Sequence, residues 1–329
     1  MRSKSLFFVV SAISLTIGVG CEPAPVESDV PDSYRSVLPD DRVKVQLDTD
    51  YSGSRDLGQL ADAYVQTAQI TNDVNGFIGG VLDHVDNATD YPPAWTSTEE
   101  ATAVWGPYGD DTDPSEVALM VGYDEATDIY TWVIALRERG SIEWDDFEPF
   151  VVGQVEENAT EEDSNGWFYL DFDVVAAHGM GDGAQGRFVT EYDVNPDGSA
   201  EAAAGFEDFV PQGEDQAINA FYKYSNAADG SGAMDLVYEG DVDGDPTSAK
   251  ETHAVRTRWM ADGSGRGDAG VGGGDLGDFV GWQSECWGAG PDFGRTFYAN
   301  NWDMESIEGD REACVFTDED FSDDADVPE

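Results

Sequence analysis

Between Asp56 and about Val85 the apolar residues recur at Leu57, Leu60, Ala61, Tyr64, Val65, Ala68, Val74, Ile78, Leu82 and Val85, the spacing of one buried helical face. Gly76, Gly79 and Gly80 fall in the second half of this segment. Each costs roughly 1 kcal/mol against Ala, so a kink or a break into two helices is expected there. From about Thr102 the pattern changes to short aromatic and β-branched runs separated by turn residues, which reads as strands. The runs are Glu116 to Tyr123, Ile129 to Arg137, Phe147 to Glu156, Trp167 to Val175, Gly186 to Val194 and Ala200 to Phe206. They continue with Ala220 to Ser225, Ala233 to Gly240, Thr252 to Met260, Val280 to Trp287 and Arg295 to Asn300.

Hairpin chemistry joins several of these runs: Asn195-Pro196-Asp197-Gly198, Ala228-Asp229-Gly230-Ser231 and Asp241-Val242-Asp243-Gly244-Asp245 carry residues that tolerate positive φ. No helical stretch long enough for a parallel crossover lies between the strands, so the sheet is expected to be an antiparallel meander. Phe168, Leu170, Phe172 and Val174 alternate with Trp167, Tyr169, Asp171 and Asp173, which makes one face apolar and in need of cover. About eleven strands expose more apolar surface than one helix hides. The expected fold class is therefore α+β, mainly β: an N-terminal helix covering a long curved antiparallel meander or incomplete barrel, which either curls around its own side chains or leaves a cavity.

Composition changes this picture in sign only. The chain of 329 residues is 40% hydrophobic and carries 16 Phe, 13 Tyr and 9 Trp, enough for one sizeable core. Its 69 acidic residues against 16 basic ones give a formal net charge of −53, which excludes nucleic acid as a natural partner because phosphate binding needs a basic footprint. The acids are spread along the whole chain and lysine is scarce, a pattern that reads as salt adaptation, with a dedicated cation-binding surface as the alternative.

The N-terminus supplies an address. Arg2 and Lys4 precede an apolar stretch from Leu6 to Ile17, followed by Gly18-Val19-Gly20-Cys21; this is the layout of an export signal, too short to span a bilayer. The Gly-Val-Gly-Cys junction resembles the lipobox of bacterial lipoproteins, although Gly18 stands where Leu is usual. That resemblance implies lipidation of Cys21 as the first mature residue, anchoring the chain to a membrane. Glu22, and not Asp, follows Cys21, which tilts the expected address toward the bacterial outer membrane, facing either the periplasm or the surface. Residues 1–20 then form the signal, 21–50 a Pro-containing acidic tether, 51–317 one folded domain, and 318–329 a mobile acidic tail. With Cys21 committed to lipid, only Cys286 and Cys314 remain, and an exported protein is expected to pair them.

Candidate chemistry is sparse. His84, His178 and His253 are far apart with no metal spacing. Asp48 and Asp50 begin a loop that follows the calcium-binding pattern as far as Gly53, then fails at Arg55 and at Gln59, where a bidentate Glu should close the cage. Asp241, Asp243 and Asp245 are a second weak cation candidate, read more simply as a hairpin turn. The run from Ala261 to Gly274 holds a Gly-x-Gly-x-Gly spacing with no helix pattern after it, so it reads as a flexible loop and not as a phosphate cradle. Arg256 and Arg258 share a strand face, where they would pair with acids on neighbouring strands or form a basic spot for an anionic head group.

A lipidated cysteine, a tether, one N-terminal helix and a long meander together resemble the outer-membrane lipoprotein carriers and receptors, whose incomplete barrels hold acyl chains. The stretch containing Arg258-Trp259, Gly263 to Asp268, Gly273 to Gly277 and Glu285-Cys286-Trp287 is also similar to a group of acidic bacterial lipoproteins of unassigned activity. The resemblance implies a non-enzymatic lipoprotein, without cofactor, that binds a lipid or other apolar ligand inside a curved sheet. The competing expectation is a structural or protein-interaction lipoprotein with a closed core.

The charge excess makes one direct prediction. Self-repulsion must be screened, so the Tm should rise by several degrees between low salt and about 1 M NaCl; a Tm that stays level or falls contradicts the salt-adaptation reading.

Overall fold

A computed structural model describes residues 33–44, 61–97, 101–110, 112–156, 163–181, 183–213, 216–240, 249–290, 292–301 and 306–317. The expected export signal, Cys21, Asp48, Asp50, Asp241, Asp243, Asp245 and the acidic C-terminal residues 318–329 lie outside the described residues. Three α-helices are described: α1 (Ser33–Ser36), α2 (Asp62–Thr89) and α3 (Phe172–Ala177). The strands are β1 (Trp95–Ser97), β2 (Thr102–Tyr108), β3 (Ser115–Asp124), β4 (Ile129–Glu138), β5 (Glu148–Glu156), β6 (Ser164–Asp171), β7 (Gln185–Val194) and β8 (Ala200–Val210). They continue as β9 (Ile218–Asn226), β10 (Gly232–Gly240), β11 (Glu251–Trp259), β12 (Gly265–Gly273), β13 (Gly277–Trp287), β14 (Arg295–Asn300) and β15 (Ser306–Gly309).

All fifteen strands form one open sheet in sequence order, every neighbouring pair antiparallel. The expected meander is thus the observed fold, longer by β1, β2, β12 and β15. The sheet curves around α2, which touches β2 and β3 near one end of the meander and β12 and β13 near the other. Val74, Ile78, Val81, Leu82 and Val85 of α2 join the inward-facing Trp105, Trp132, Phe168, Phe188, Tyr222 and Trp259 in one core cluster. Large and small residues alternate at Trp132, Gly153, Phe168 and Thr190, direct neighbours from strand to strand, and the inward row continues through Ala204, Tyr222 and Leu236. The alternation is steric: a Cβ on Gly153 would meet the Trp132 ring at 2.3 Å, far inside van der Waals contact.

Four sequence readings are corrected by the structure. The helix is continuous from Asp62 to Thr89, with no break at its glycines, because five large apolar residues bracketing them are fixed in the core and outweigh roughly 3 kcal/mol of lost propensity. The glycine-rich run is not a flexible loop but β12, paired with β11 and β13. Its glycines permit close approach: a Cβ on Gly265 would strike the Trp287 ring at 2.4 Å, and one on Gly267 would meet Ala63 Cβ at 2.7 Å. Strand β6 stops at Asp171 instead of running to Val175, because the Asp171 carboxylate accepts from the amides of Asp173 and Val174 at 3.1 and 3.4 Å and starts α3. Finally, residues 33–44, assigned to the tether, fold against the body, where Val37, Leu38 and Val43 are buried in the main core.

The hairpins β7–β8, β9–β10 and β11–β12 turn on one repeated device. In each, Asp197, Asp229 or Asp262 accepts from both the amide and the hydroxyl of the serine two residues on. The glycine between them takes φ of +87°, +89° or +81°, a region open to glycine at little cost.

The start of α2 is held from outside the helix. Its N-cap, Ala61, offers no side-chain acceptor; instead Glu285 of β13, 1% exposed, accepts from the Ala63 amide and pairs with Arg295 of β14, which also reaches Asp62 at 3.1 Å. Burial pushes the Glu285 carboxyl above the usual carboxylate range, opposed by the Ala63 amide and the Arg295 charge. A folded-state value above the unfolded one means that this group's contribution is complete below the ordinary carboxylate range and is lost as pH rises through the folded value. Wild type should therefore gain Tm as pH falls from neutral toward the ordinary carboxylate range, and Glu285→Gln, which keeps an acceptor for the amide, should gain less. An equal gain in both contradicts this role. Glu285→Ala, which removes the buried carboxylate facing Arg295 and the acceptor of the Ala63 amide, should cost about 3 kcal/mol.

Candidate functional site

The sheet's inward face is covered by α2 along most of its length, and the cover is incomplete beside α3. A cleft of about 260 Å³ opens there between α2, α3 and the inward side of β5 and β6. Its walls are Phe77 and Val81 of α2, Phe150 of β5, Leu170 of β6, and Phe172 and Val175 of α3, with Met180 beyond. The floor is an aromatic cluster in which Phe77 meets Phe172, Phe188, Phe206 and Phe209 at centroid distances of 5.8, 5.9, 5.0 and 5.6 Å.

Two glycines keep the cleft open. Gly76 and Gly80, four residues apart, lie on one face of α2 and line it, and a Cβ at either position would meet nothing within 4 Å. The same glycines that cost helix propensity thus leave room beside the helix. His84, one turn further on, is the one titratable residue among the lining residues described. Its ring meets Phe150 edge-on at 6.3 Å, and its apolar surroundings push its pKa down, with Asp83 acting in the opposite sense. The cleft wall is accordingly apolar with a neutral imidazole at one end.

The wall formed by α3 is pinned by polar contacts on its far side. Asp171 caps α3 and accepts from Arg187 at 3.0 Å, while the Gly186 amide donates to Asp173 at 3.1 Å. After α3, His178 lies 3.2 Å from the Ser115 hydroxyl and 3.3 Å from the Glu148 carboxylate. Gly179, Gly181 and Gly183 all have positive φ in the loop that leads back to β7. The wall is thus a short helix tied at both ends and followed by a glycine loop.

A larger concavity of about 540 Å³ lies on the outward face and is of different character. Trp167 stands among Glu156, Glu191, Asp193 and Glu201, with Lys223 the single base in its lining. Among the described residues no group of three or more His, Cys, Asp or Glu converges as a metal site.

Of the candidates read from the sequence, the two cysteines come together. Cys286 and Cys314 are joined, with Cα atoms 5.5 Å apart, and the bond fastens the segment after β15 to the outward side of β13 beside Phe297 and Ala299. Closing about 29 residues is worth roughly 3.5 kcal/mol in the chain-entropy model. Arg256 and Arg258 do meet acids: Asp235 of β10 lies 2.9 Å from Arg258 and 3.9 Å from Arg256. The three histidines stay separate, His84 on α2, His178 at the end of α3, and His253 on β11 stacked on Tyr238 at 4.6 Å. What the sequence reading missed is the place and lining of the cleft, whose one legible signal was the i, i+4 pair Gly76 and Gly80 within an otherwise helical pattern.

Comparison of the chain with protein-family models, with curated proteins and with solved structures finds no match.

The open space beside Gly80 generates a prediction of its own. Gly80→Leu should fill the cleft without a clash and raise stability by about 1 kcal/mol through helix propensity, read as a higher Tm with unchanged circular dichroism. A destabilised protein would mean that the space is not free.

Proposed function

We propose that the protein is an exported lipoprotein, anchored to a bacterial outer membrane through Cys21, whose folded body binds one narrow apolar ligand such as a single acyl chain in the cleft between α2 and α3. The observation that carries the reading is the cleft's lining: aromatic and aliphatic walls, open glycine positions, and His84 alone as a titratable group among the lining residues described. At about 260 Å³ it is smaller than the pockets that enclose drug-sized molecules. It therefore favours a slender group, each methylene of which gains about 0.8 kcal/mol on burial.

A second reading has a specific observation behind it. Because α2 itself occupies the concave side of the sheet, the interior is largely a packed core, which favours a structural or interaction role with no ligand. The two readings separate in one experiment. Palmitate titrated into the purified folded body should bind at one site per chain, and Gly80→Leu should weaken that binding at least tenfold while keeping its Tm. Absent or non-saturable binding to wild type supports the closed-core reading and overturns the proposal.

The anchor is tested separately. Wild type expressed with its leader should partition into detergent, and Cys21→Ser should remain in the aqueous phase; identical partitioning removes the anchor from the proposal.

A further inference from the structure

Gly76, Gly80 and His84 are spaced four residues apart on α2 and all line the cleft. They form one row about 12 Å long, two open positions followed by an imidazole. Among the lining residues described, His84 is the only one whose side chain carries a nitrogen or an oxygen. It is exposed at the edge of the cleft, whereas its neighbours Val81 and Phe150 are buried. The ring meets Phe150 edge-on, and its nitrogens make no hydrogen bond to another described residue. An apolar cleft with a single polar side chain at its rim suits an amphiphile, with the chain inside and the head at His84.

The charge around that rim restricts the head. Asp83 adjoins His84 on α2. Two residues on, burial and the neighbouring Asp41, Asp83, Asp90 and Asp40 push the Asp86 carboxyl above its usual range. The helix ends at Thr89, so the negative end of its dipole lies on the same side. From the sheet, Glu148 stands two residues before Phe150 on β5 and is paired with His178 at 3.3 Å. The base on this part of α2, Lys44, packs against Gly79 and is bonded to Asp41 at 2.6 Å. A carboxylate head would therefore enter a region of acids, with no base in the described lining. His84 supplies no charge either, since its apolar surroundings keep the imidazole neutral. A neutral imidazole has one N–H donor and one bare nitrogen acceptor. A hydroxyl can serve either; a carboxylate can use only the N–H, and an ammonium only the bare nitrogen.

Resting on the binding reading above, we infer that the ligand is a single acyl chain ending in an uncharged, hydroxyl-bearing head, as in a monoacylglycerol, and that His84 receives that head. The chain lies along the row of Gly76 and Gly80, and the head hydrogen-bonds the imidazole at the rim. The cleft thus discriminates against free fatty acids of the same chain length, which it binds more weakly.

Three ligands matched in chain and different in head test this: 1-dodecanoylglycerol, dodecanoate and dodecylamine. Each is titrated below its aggregation concentration, at neutral pH, into the full chain carrying Cys21→Ser. The glyceride should bind at one site, at least severalfold more tightly than dodecanoate. His84→Leu, which leaves the apolar walls in place, should weaken glyceride binding severalfold, the size of one net hydrogen bond, and change dodecanoate binding less. His84→Gln, which retains a donor and an acceptor, should keep most of the glyceride affinity. Equal affinity for glyceride and dodecanoate overturns the head-group assignment, as does glyceride binding that His84→Leu leaves unchanged. Tighter binding of dodecanoate or dodecylamine that Gly80→Leu abolishes also overturns it, and in each of these cases the apolar cleft still stands as a binding site. No saturable binding of any of the three overturns the assignment and the cleft reading together.

Discussion

Everything in this architecture depends on how the apolar concave face of one very long antiparallel sheet is kept from water. Fifteen strands in sequence order cannot cover themselves while the sheet stays open, and α2 is the one long helix among the described residues. The solution is curvature: the sheet bends until β2 and β3 near one end and β12 and β13 near the other all reach the same helix. Gly265 and Gly267 of β12 and Gly153 of β5 are a consequence of that closeness, since each leaves space that a neighbouring ring or the helix itself occupies. Hydrophobic burial drives the wrapping, but it does not fix the helix along its axis. That positional task falls to polar groups, with Glu285 and Arg295 at the helix start and the buried hydroxyl pair of Thr67 and Thr257 at 2.8 Å one turn later.

The same constraint explains where a ligand could enter. A helix that fills a curved sheet leaves space only where it presents small residues or diverges from the strands. Both conditions meet beside α3, where Gly76 and Gly80 face the aromatic floor. The architecture thus departs from an empty cone. Most of the described interior is packed protein, and an apolar cleft of about 260 Å³ opens beside α3.

The meander was legible in the sequence because alternation and turn chemistry survive in most strands; the run Trp167 to Leu170 and the Asp-Gly turns at 197 and 229 are strong local signals. Strand β12 was not, because glycine carries no alternation. Yet Asp262-Gly263-Ser264 repeats the tripeptides at Asp197 and Asp229 and turns in the same way. The helix α3 was hidden for a different reason: Phe172 and Val174 continue the alternation of β6, and only the capping of two amides by Asp171 diverts the chain. The disulfide partners emerged from counting cysteines. The position of the cleft could not be read in advance, since a helical glycine looks the same whether its missing Cβ leaves open space or close contact, and only the neighbouring elements decide which.

The central claim is that the cleft between α2 and α3 is a binding site and not a packing imperfection. Native mass spectrometry of the protein purified from its expressing cells, under conditions that retain non-covalent ligands, tests this most directly. The expected result is one apolar molecule per chain, present in wild type and missing when Gly80→Leu fills the cleft. A bare wild-type mass, or the same adduct in both proteins, contradicts the claim.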